Sequence, residues 1–156
     1  MKIADVLTPA LAVCQLTGGS KKRVLENISQ LISSQLESAQ DQSETVFNNF
    51  LARERLGSTG IGTGVAVPHC RTKGVKKIHG CLAKLEAPVD FDAVADLPVD
   101  LVFALVVPEE KNEEHLSTLA RIAQIMQTDS SRQMLRNCKS NQELFDTIIK
   151  LEHKKK

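Results

Sequence analysis

The sequence predicts an α/β protein with helices covering a largely buried sheet, and two patterns carry this prediction. Apolar runs of strand length occur at 78–85 and 99–107, and the segments around them carry apolar residues at helical spacing. The second run, VDLVFALVV, is apolar on consecutive residues, as expected of a central strand with both faces covered. Pro88 and Pro98 should confine the segment between these strands to loops and sheet edges.

The first third of the chain predicts one strand and two helices. Residues 10–16 form a short apolar strand that ends at a Thr-Gly-Gly turn. Ser20 follows the turn and can cap a helix that apolar residues at helical spacing continue to about Leu36. Asp41 and Glu44 then have the spacing of a capping box at the start of a second helix.

The C-terminal part of the chain is predicted to be helical. Asn112 can cap a helix that places His115 in its first turn, and Leu135 and residues 144–151 supply two shorter helical pieces. The apolar stripe of the first of these helices is predicted to consist of Leu116, Leu119, Ile122, Ala123 and Met126.

Composition and charge exclude several function classes. The chain has 156 residues, with 20 Lys and Arg against 19 Asp and Glu, and it contains neither Trp nor Tyr. A protein without a basic field or these stacking side chains is not built to bind nucleic acid. No window approaches about 18 consecutive apolar residues and no signal-peptide pattern is present, so we expect a cytoplasmic protein without membrane insertion. We expect a single domain over residues 1–156, with a basic tail at about 153–156.

The cysteines predict neither a metal site nor a redox motif. Cys14, Cys70, Cys81 and Cys138 include no C-x-x-C pair, so we expect reduced thiols. Cys70 directly follows His69, but adjacent side chains cannot readily aim at one ion and no second Cys/His pair is close. We therefore expect no metal, no cofactor and no role for Cys70 in ligation.

Residues 57–70, GSTGIGTGVAVPHC, look at first like a phosphate-binding loop. A P-loop needs Lys directly after its last glycine, and a dinucleotide-binding loop needs its glycines between a strand and a helix. Here no Lys follows, the second helix should end at Gly57, and the residues after the glycines are strand-like. The missing Lys and the order helix, loop, strand argue against both nucleotide-binding interpretations.

The end of the glycine stretch presents a histidine from a stiff backbone. Pro68 has a fixed φ and holds the residue before it in extended geometry, so the position of His69 is well defined. A neutral imidazole is a competent nucleophile near pH 7, because its reference pKa is about 6.5. A phosphorylated imidazole would need cations nearby, and Arg53, Arg55 and His115 are the candidates. The plain alternative is that the glycines make a tight connection and His69 only ends a strand.

Residues 53–69, RERLGSTGIGTGVAVPH, resemble the active-site segment of the type-2 IIA domains of the bacterial phosphoenolpyruvate-dependent phosphotransferase system, the mannitol and fructose class. The residue pattern of this segment is most similar to that of the nitrogen-regulatory members of the family. The similarity continues through VVP at 106–108 and EHL at 114–116, so it covers nearly the whole chain. It implies a mixed five-stranded sheet flanked by helices.

The resemblance also implies a set of site residues. His69 would be phosphorylated on Nε2 by an HPr-like carrier (NPr), which a phosphoenolpyruvate-dependent first enzyme supplies. Arg53 would bind the phosphoryl group, and His115 would bond to His69 or the phosphate and set the tautomer of His69. The loop with Gly60, Gly62 and Gly64 would let the carrier dock closely, and Ile61 and Val65 are the candidates for an aliphatic docking rim.

Three functions remain open at this point. One is a regulatory phosphocarrier that acts on targets such as potassium-transport or sensor-kinase components, as the resemblance implies. Another is a fructose- or mannitol-specific IIA component that passes its phosphoryl group to a separate IIB. A hydrolase or metal enzyme that uses His69 is the third, but no nucleophile elbow or zinc spacing supports it.

Overall fold

The computed structural model describes residues 2–36, 41–93, 97–110 and 113–154. In chain order the elements are α1 (Ile3–Val6), a 3₁₀ turn (Pro9–Leu11), β1 (Ala12–Leu16), α2 (Lys21–Ser33), α3 (Ser43–Glu54), β2 (Val65–Ala66), β3 (His69–Thr72), β4 (His79–Val89), β5 (Val99–Pro108), α4 (Glu113–Met126), α5 (Asp129–Arg136) and α6 (Asn141–Lys154).

The five strands form one mixed sheet in the order β1-β4-β5-β2, with β3 also paired to β5. β4 runs antiparallel to β5, whereas β1 is parallel to β4, and β2 and β3 are parallel to β5. β5 is the central strand and is buried along almost its whole length, because both of its faces are covered. The predicted mixed five-stranded α/β architecture is confirmed.

The helices pack in two groups. α2 packs against α3, and this pair contacts β4 and β3, while α6 packs on β1 and contacts α1, α4 and α5. The fully buried phenylalanines, Phe50, Phe91 and Phe103, belong to the common core. None of the helices in the described ranges has the length and apolar content needed to span a membrane.

Several predicted boundaries are corrected near the N-terminus. The segment predicted as a strand over 10–16 begins with the 3₁₀ turn, and β1 starts at Ala12. Ser20 caps α2 as predicted, with its side chain accepting a hydrogen bond from Arg23 N at 3.1 Å, but the helix ends at Ser33 rather than near residue 36. The capping box at Asp41 is wrong, because Gln42 is the N-cap of α3.

Asp41 instead lies one residue before the N-cap of α3. It accepts a hydrogen bond from Ser43 N at 2.9 Å and one from the Ser33 hydroxyl at 3.1 Å, so it joins the two helices. These hydrogen bonds lower the pKa of the Asp41 carboxyl. α3 ends at Glu54, and Gly57 completes the following turn with a φ of 149°.

The C-terminal half also differs in detail from the prediction. Pro88 lies inside β4 rather than in a loop, in the stretch where the β4–β5 register shifts between Lys84 and Val89. The shift removes regular ladder bonds there, which makes the missing N–H of proline tolerable. α6 continues to Lys154, so part of the expected basic tail is helical, and the predicted cap at Asn112 falls outside the described residues.

Candidate active site

The backbone presents His69 at a break in an edge of the sheet. β2 and β3 lie one after the other along β5, with Ala66 opposite Val102 and His69 opposite Leu105. Pro68 stands in the break, where its carbonyl accepts a hydrogen bond from Leu105 N at 2.9 Å. Proline has no N–H to donate, so the ladder is interrupted and restarts at His69.

A single hydrogen bond fixes the orientation and the tautomer of His69. Its Nδ1 lies 2.9 Å from the Val67 carbonyl oxygen. A carbonyl only accepts hydrogen bonds, so the proton of the neutral imidazole must be on Nδ1. The lone pair is then on Nε2, the nitrogen that a tele-phosphohistidine would use.

His69 borders an open cleft of about 420 Å³ between the end of α3, β3 and the start of α4. The residues that line it are Asn49, Ala52, Arg53, Leu56, His69, Cys70, Arg71, Val107 and His115. The structure thus brings together all three residues of the predicted catalytic set. Arg55, the alternative to Arg53, is exposed and does not line this cleft.

Arg53 reaches the cleft from the last turn of α3. Its Nη1 donates a hydrogen bond to the Gly57 carbonyl at 2.9 Å, which holds the guanidinium beside the turn that follows the helix. Arg53 is half-buried. A guanidinium held in this way has donors left for an anion in the cleft.

His115 is part of the buried face of α4. It is 6% exposed, whereas the neighbouring Leu116, predicted to be in the apolar stripe, is 60% exposed. The buried face consists of His115, Thr118, Ile122, Ile125 and Met126. The imidazole centroids of His115 and His69 lie 6.4 Å apart. In this structure the Val67 carbonyl pairs with His69 Nδ1, and the expected hydrogen bond from His115 to His69 or to the phosphate stays a prediction.

A buried ion pair holds the turn between α3 and the glycine loop. The Glu54 carboxylate lies 2.7 Å from Lys21 Nζ, with side-chain exposures of 5% and 17%. The same carboxylate accepts hydrogen bonds from the backbone N–H and the hydroxyl of Thr59. Lys21 also donates to the Phe91 carbonyl at 3.3 Å. Sequence reasoning did not single out Glu54, because its partner lies more than thirty residues earlier.

The glycines of the loop have packing reasons of their own. A Cβ at Gly60 would lie 2.5 Å from the Ala93 Cβ, and Gly64 has a φ of 79° and faces the Arg136 guanidinium. None of Gly60, Gly62 and Gly64 lines the cleft around His69, so their role in docking stays a prediction. Val65, expected on an aliphatic rim, is fully buried, whereas Ile61 is 39% exposed.

Cys70 contributes to the cleft lining, but its thiol is turned toward the core, against the Val46 carbonyl and the Thr72 hydroxyl. Side chains alternate along β3, so Cys70 and Thr72 face the core while His69 and Arg71 face the cleft side. Burial raises the pKa of the Cys70 thiol to about 12. All four cysteines are free thiols, and within the described ranges no three His, Cys, Asp or Glu side chains are grouped to hold a metal ion.

We expect native protein at pH 8 to react with iodoacetamide first at the half-buried Cys14, and at Cys70 and Cys81 only after unfolding. Burial raises the pKa of Cys70 and Cys81 from 9.0 to about 12, so both stay protonated. Between pH 9.0 and about 12 these two thiols bind more protons in the folded state than in the unfolded state. The free energy of unfolding should therefore fall as pH rises through this range. Mass spectrometry of labelled peptides, with and without urea, measures the order, and fast native labelling of Cys70 would contradict it.

Comparisons with known proteins agree on one family. The family model described as phosphoenolpyruvate-dependent sugar phosphotransferase system, EIIA 2, matches residues 5–151. A nitrogen regulatory protein of Pseudomonas aeruginosa is 40% identical over 153 residues, or 98% of each chain. The crystal structure of nitrogen regulatory protein IIA-Ntr from Neisseria meningitidis has a TM-score of 0.86 at 37% identity, covering 94% of this chain and 98% of that one. IIA mannitol from Escherichia coli shares the fold, with a TM-score of 0.71 at 21% identity over 92% and 96% of the two chains.

The chain therefore belongs to the type-2 EIIA family of the phosphoenolpyruvate-dependent sugar phosphotransferase system. Within that family it is similar over nearly its whole length to nitrogen regulatory proteins of the IIA-Ntr type. The resemblance drawn from residues 53–69 is thereby confirmed, and the protein is a component of a phosphotransferase system.

Proposed function

We propose that the protein is a cytoplasmic phosphohistidine carrier of the nitrogen-related phosphotransferase system. It accepts a phosphoryl group on His69 Nε2 from an HPr-like carrier (NPr), and its phosphorylation state decides which target proteins it binds. The observation that carries this proposal is the hydrogen bond from His69 Nδ1 to the Val67 carbonyl, which leaves Nε2 for the cleft that Arg53 and His115 also line.

The transfer is an in-line exchange between two imidazoles. The lone pair of His69 Nε2 forms a bond to phosphorus as the P–N bond of the carrier phosphohistidine breaks, and the carrier keeps that bonding pair as its own imidazole lone pair. The His69 ring gains positive charge in this step, and the Val67 carbonyl stabilises it through the Nδ1–H. Arg53 supplies charge to the equatorial oxygens of the loose transition state.

An apolar rim around the cleft fits a protein donor. Leu56 lines the cleft and is 84% exposed, and Leu116 directly follows His115 and is 60% exposed. A contiguous exposed apolar patch is typical of a surface that binds another protein, and these two leucines are candidates for such a patch. We therefore assign the docking of the carrier to Leu56 and Leu116 together with the predicted Ile61.

Labelling with the upstream proteins tests the proposal. The protein is incubated with phosphoenolpyruvate, the first enzyme and NPr, and intact mass spectrometry detects an acid-labile gain of one phosphoryl group. Omission of NPr is the control, because it should abolish the gain. A wild-type protein that is not labelled by the complete system would rule out the proposed function.

Arg53→Ala should slow labelling by about a hundredfold, the effect of removing one donor that stabilises developing charge. Its stability should change by no more than about 1 kcal/mol, since Arg53 is half-buried and its side chain makes one hydrogen bond at a turn. Labelling rates and urea unfolding measure both. Arg55→Ala is the matched control and should behave as wild type, whereas a globally unfolded Arg53→Ala protein would contradict the role.

The sugar-specific alternative rests on the family description and on the fold shared with IIA mannitol. It predicts that the phosphorylated protein passes its phosphoryl group to an isolated fructose- or mannitol-specific IIB. We favour the regulatory function, because the nitrogen regulatory relatives have the higher identity over almost the whole chain. Incubation of the labelled protein with purified IIB separates the two: retention of the label supports the regulator, and rapid transfer supports the sugar carrier.

A further inference from the structure

Arg71 is a cationic side chain of the cleft that the sequence pattern did not single out. It lies two residues after His69 in β3, and side chains at this spacing project from the same face of a sheet. The two residues are about 7 Å apart along the strand, since each residue rises about 3.3 Å. Val107, the partner of Arg71 in β5, also lines the cleft.

The surroundings of Arg71 leave its guanidinium open to an anion. Arg71 is exposed, and among the described residues none accepts a hydrogen bond from it or forms an ion pair with it. The cleft lining, as far as the structure describes it, has two guanidinium groups and two imidazoles but no carboxylate. Arg53, by contrast, is already held by the Gly57 carbonyl.

We propose that Arg71 is a second phosphoryl-binding residue of this cleft, an inference that rests on the proposed phosphorylation of His69. A phosphorylated histidine adds close to two negative charges, more than one guanidinium neutralises. Arg53 belongs to the end of α3 and Arg71 to β3, and both line the cleft that His69 borders. Each guanidinium can donate two parallel hydrogen bonds to phosphoryl oxygens.

Phosphoramidate tests the proposal without a protein donor. In this reaction the P–N bond of phosphoramidate breaks, ammonia leaves, and a bond forms between phosphorus and His69 Nε2. Arg71→Gln should lower the rate of His69 labelling by about tenfold, the effect of one lost charge-assisted interaction, and Arg71→Lys should recover part of it. Arg55→Gln removes an exposed guanidinium outside the cleft and should react as wild type.

The same variants labelled through NPr separate phosphoryl binding from docking. Arg71→Gln should be slower with both donors. If it is slow only with NPr, Arg71 contacts the carrier protein, and the proposal is overturned; equal rates for Arg71→Gln and Arg55→Gln with both donors overturn it too. Failure of the complete NPr system to label the wild type counts instead against the proposed function.

Inorganic phosphate gives a readout that requires no transfer. The ring ¹⁵N shifts of His69 should change as phosphate is added to wild-type protein, with an apparent affinity that falls several-fold in Arg71→Gln and not in Arg55→Gln. An unchanged phosphate affinity in Arg71→Gln would overturn the proposal even if no donor labels the protein.

Discussion

His69→Ala should abolish labelling by phosphoenolpyruvate, the first enzyme and NPr. The substitution removes Nε2, the one nitrogen that the Val67 hydrogen bond leaves for attack on phosphorus. The loss should be complete within detection, because this nitrogen forms the covalent bond to phosphorus. Time-resolved intact mass spectrometry measures the label, and peptide mapping under alkaline conditions locates it.

Two controls make the loss at His69 specific. His153→Ala removes an exposed imidazole at the end of α6 and should be labelled as wild type. His69→Ala should keep its fold, since the half-buried side chain makes one hydrogen bond to the Val67 carbonyl two residues earlier. Undiminished labelling of His69→Ala, with a circular dichroism spectrum like that of wild type, would assign the chemistry to another residue.

The sequence predicted those parts of the site that depend on local chemistry. The stiff Pro68-His69 pair, the cap at Ser20 and the central strand over 99–107 all follow from nearby residues, and the structure has each of them. The choice of Arg53 over Arg55 required the family resemblance, because helical spacing alone does not distinguish them.

What escaped prediction depends on residues far apart in the chain or on the exact register of an element. Arg71 shares a face with His69 only once β3 is known to begin at His69, after the break at Pro68. Leu116 fits an apolar stripe by residue type, yet α4 buries His115 on the side of the cleft and leaves Leu116 exposed. A hydrophobic pattern cannot anticipate a helix that buries a polar residue at a site.

The Glu54–Lys21 pair is the strongest case of a long-range determinant. Glu54 follows Arg53 directly and is nearly fully buried at the end of α3. Its carboxylate binds Lys21 at the start of α2 and Thr59 at the start of the glycine loop. The pair therefore holds the helix end that carries Arg53 against the loop that leads to Pro68 and His69.

Glu54→Ala should lower the free energy of unfolding by about 3 kcal/mol, because it leaves the largely buried ammonium of Lys21 with only the exposed carboxylate of Asp92, 3.9 Å away. Lys21→Met alone should also destabilise, but the double variant should cost less than the two single changes together, since neither charge is then left unpaired. Glu26→Ala is the control: its exposed pair with Arg23 should contribute at most about 1 kcal/mol.

Urea unfolding of the Glu54 series distinguishes a buried pair from an incidental contact. A Glu54→Ala loss no larger than that of Glu26→Ala would mean that water screens the pair and that the loop is held by other contacts. Strict additivity in the double variant would mean that the two charges do not interact. A large loss of stability in Glu54→Ala that is partly relieved in the double variant is the result expected when folding desolvates both charges of the pair. The positions of Arg53 and His69 would then depend on an interaction that lies outside the cleft.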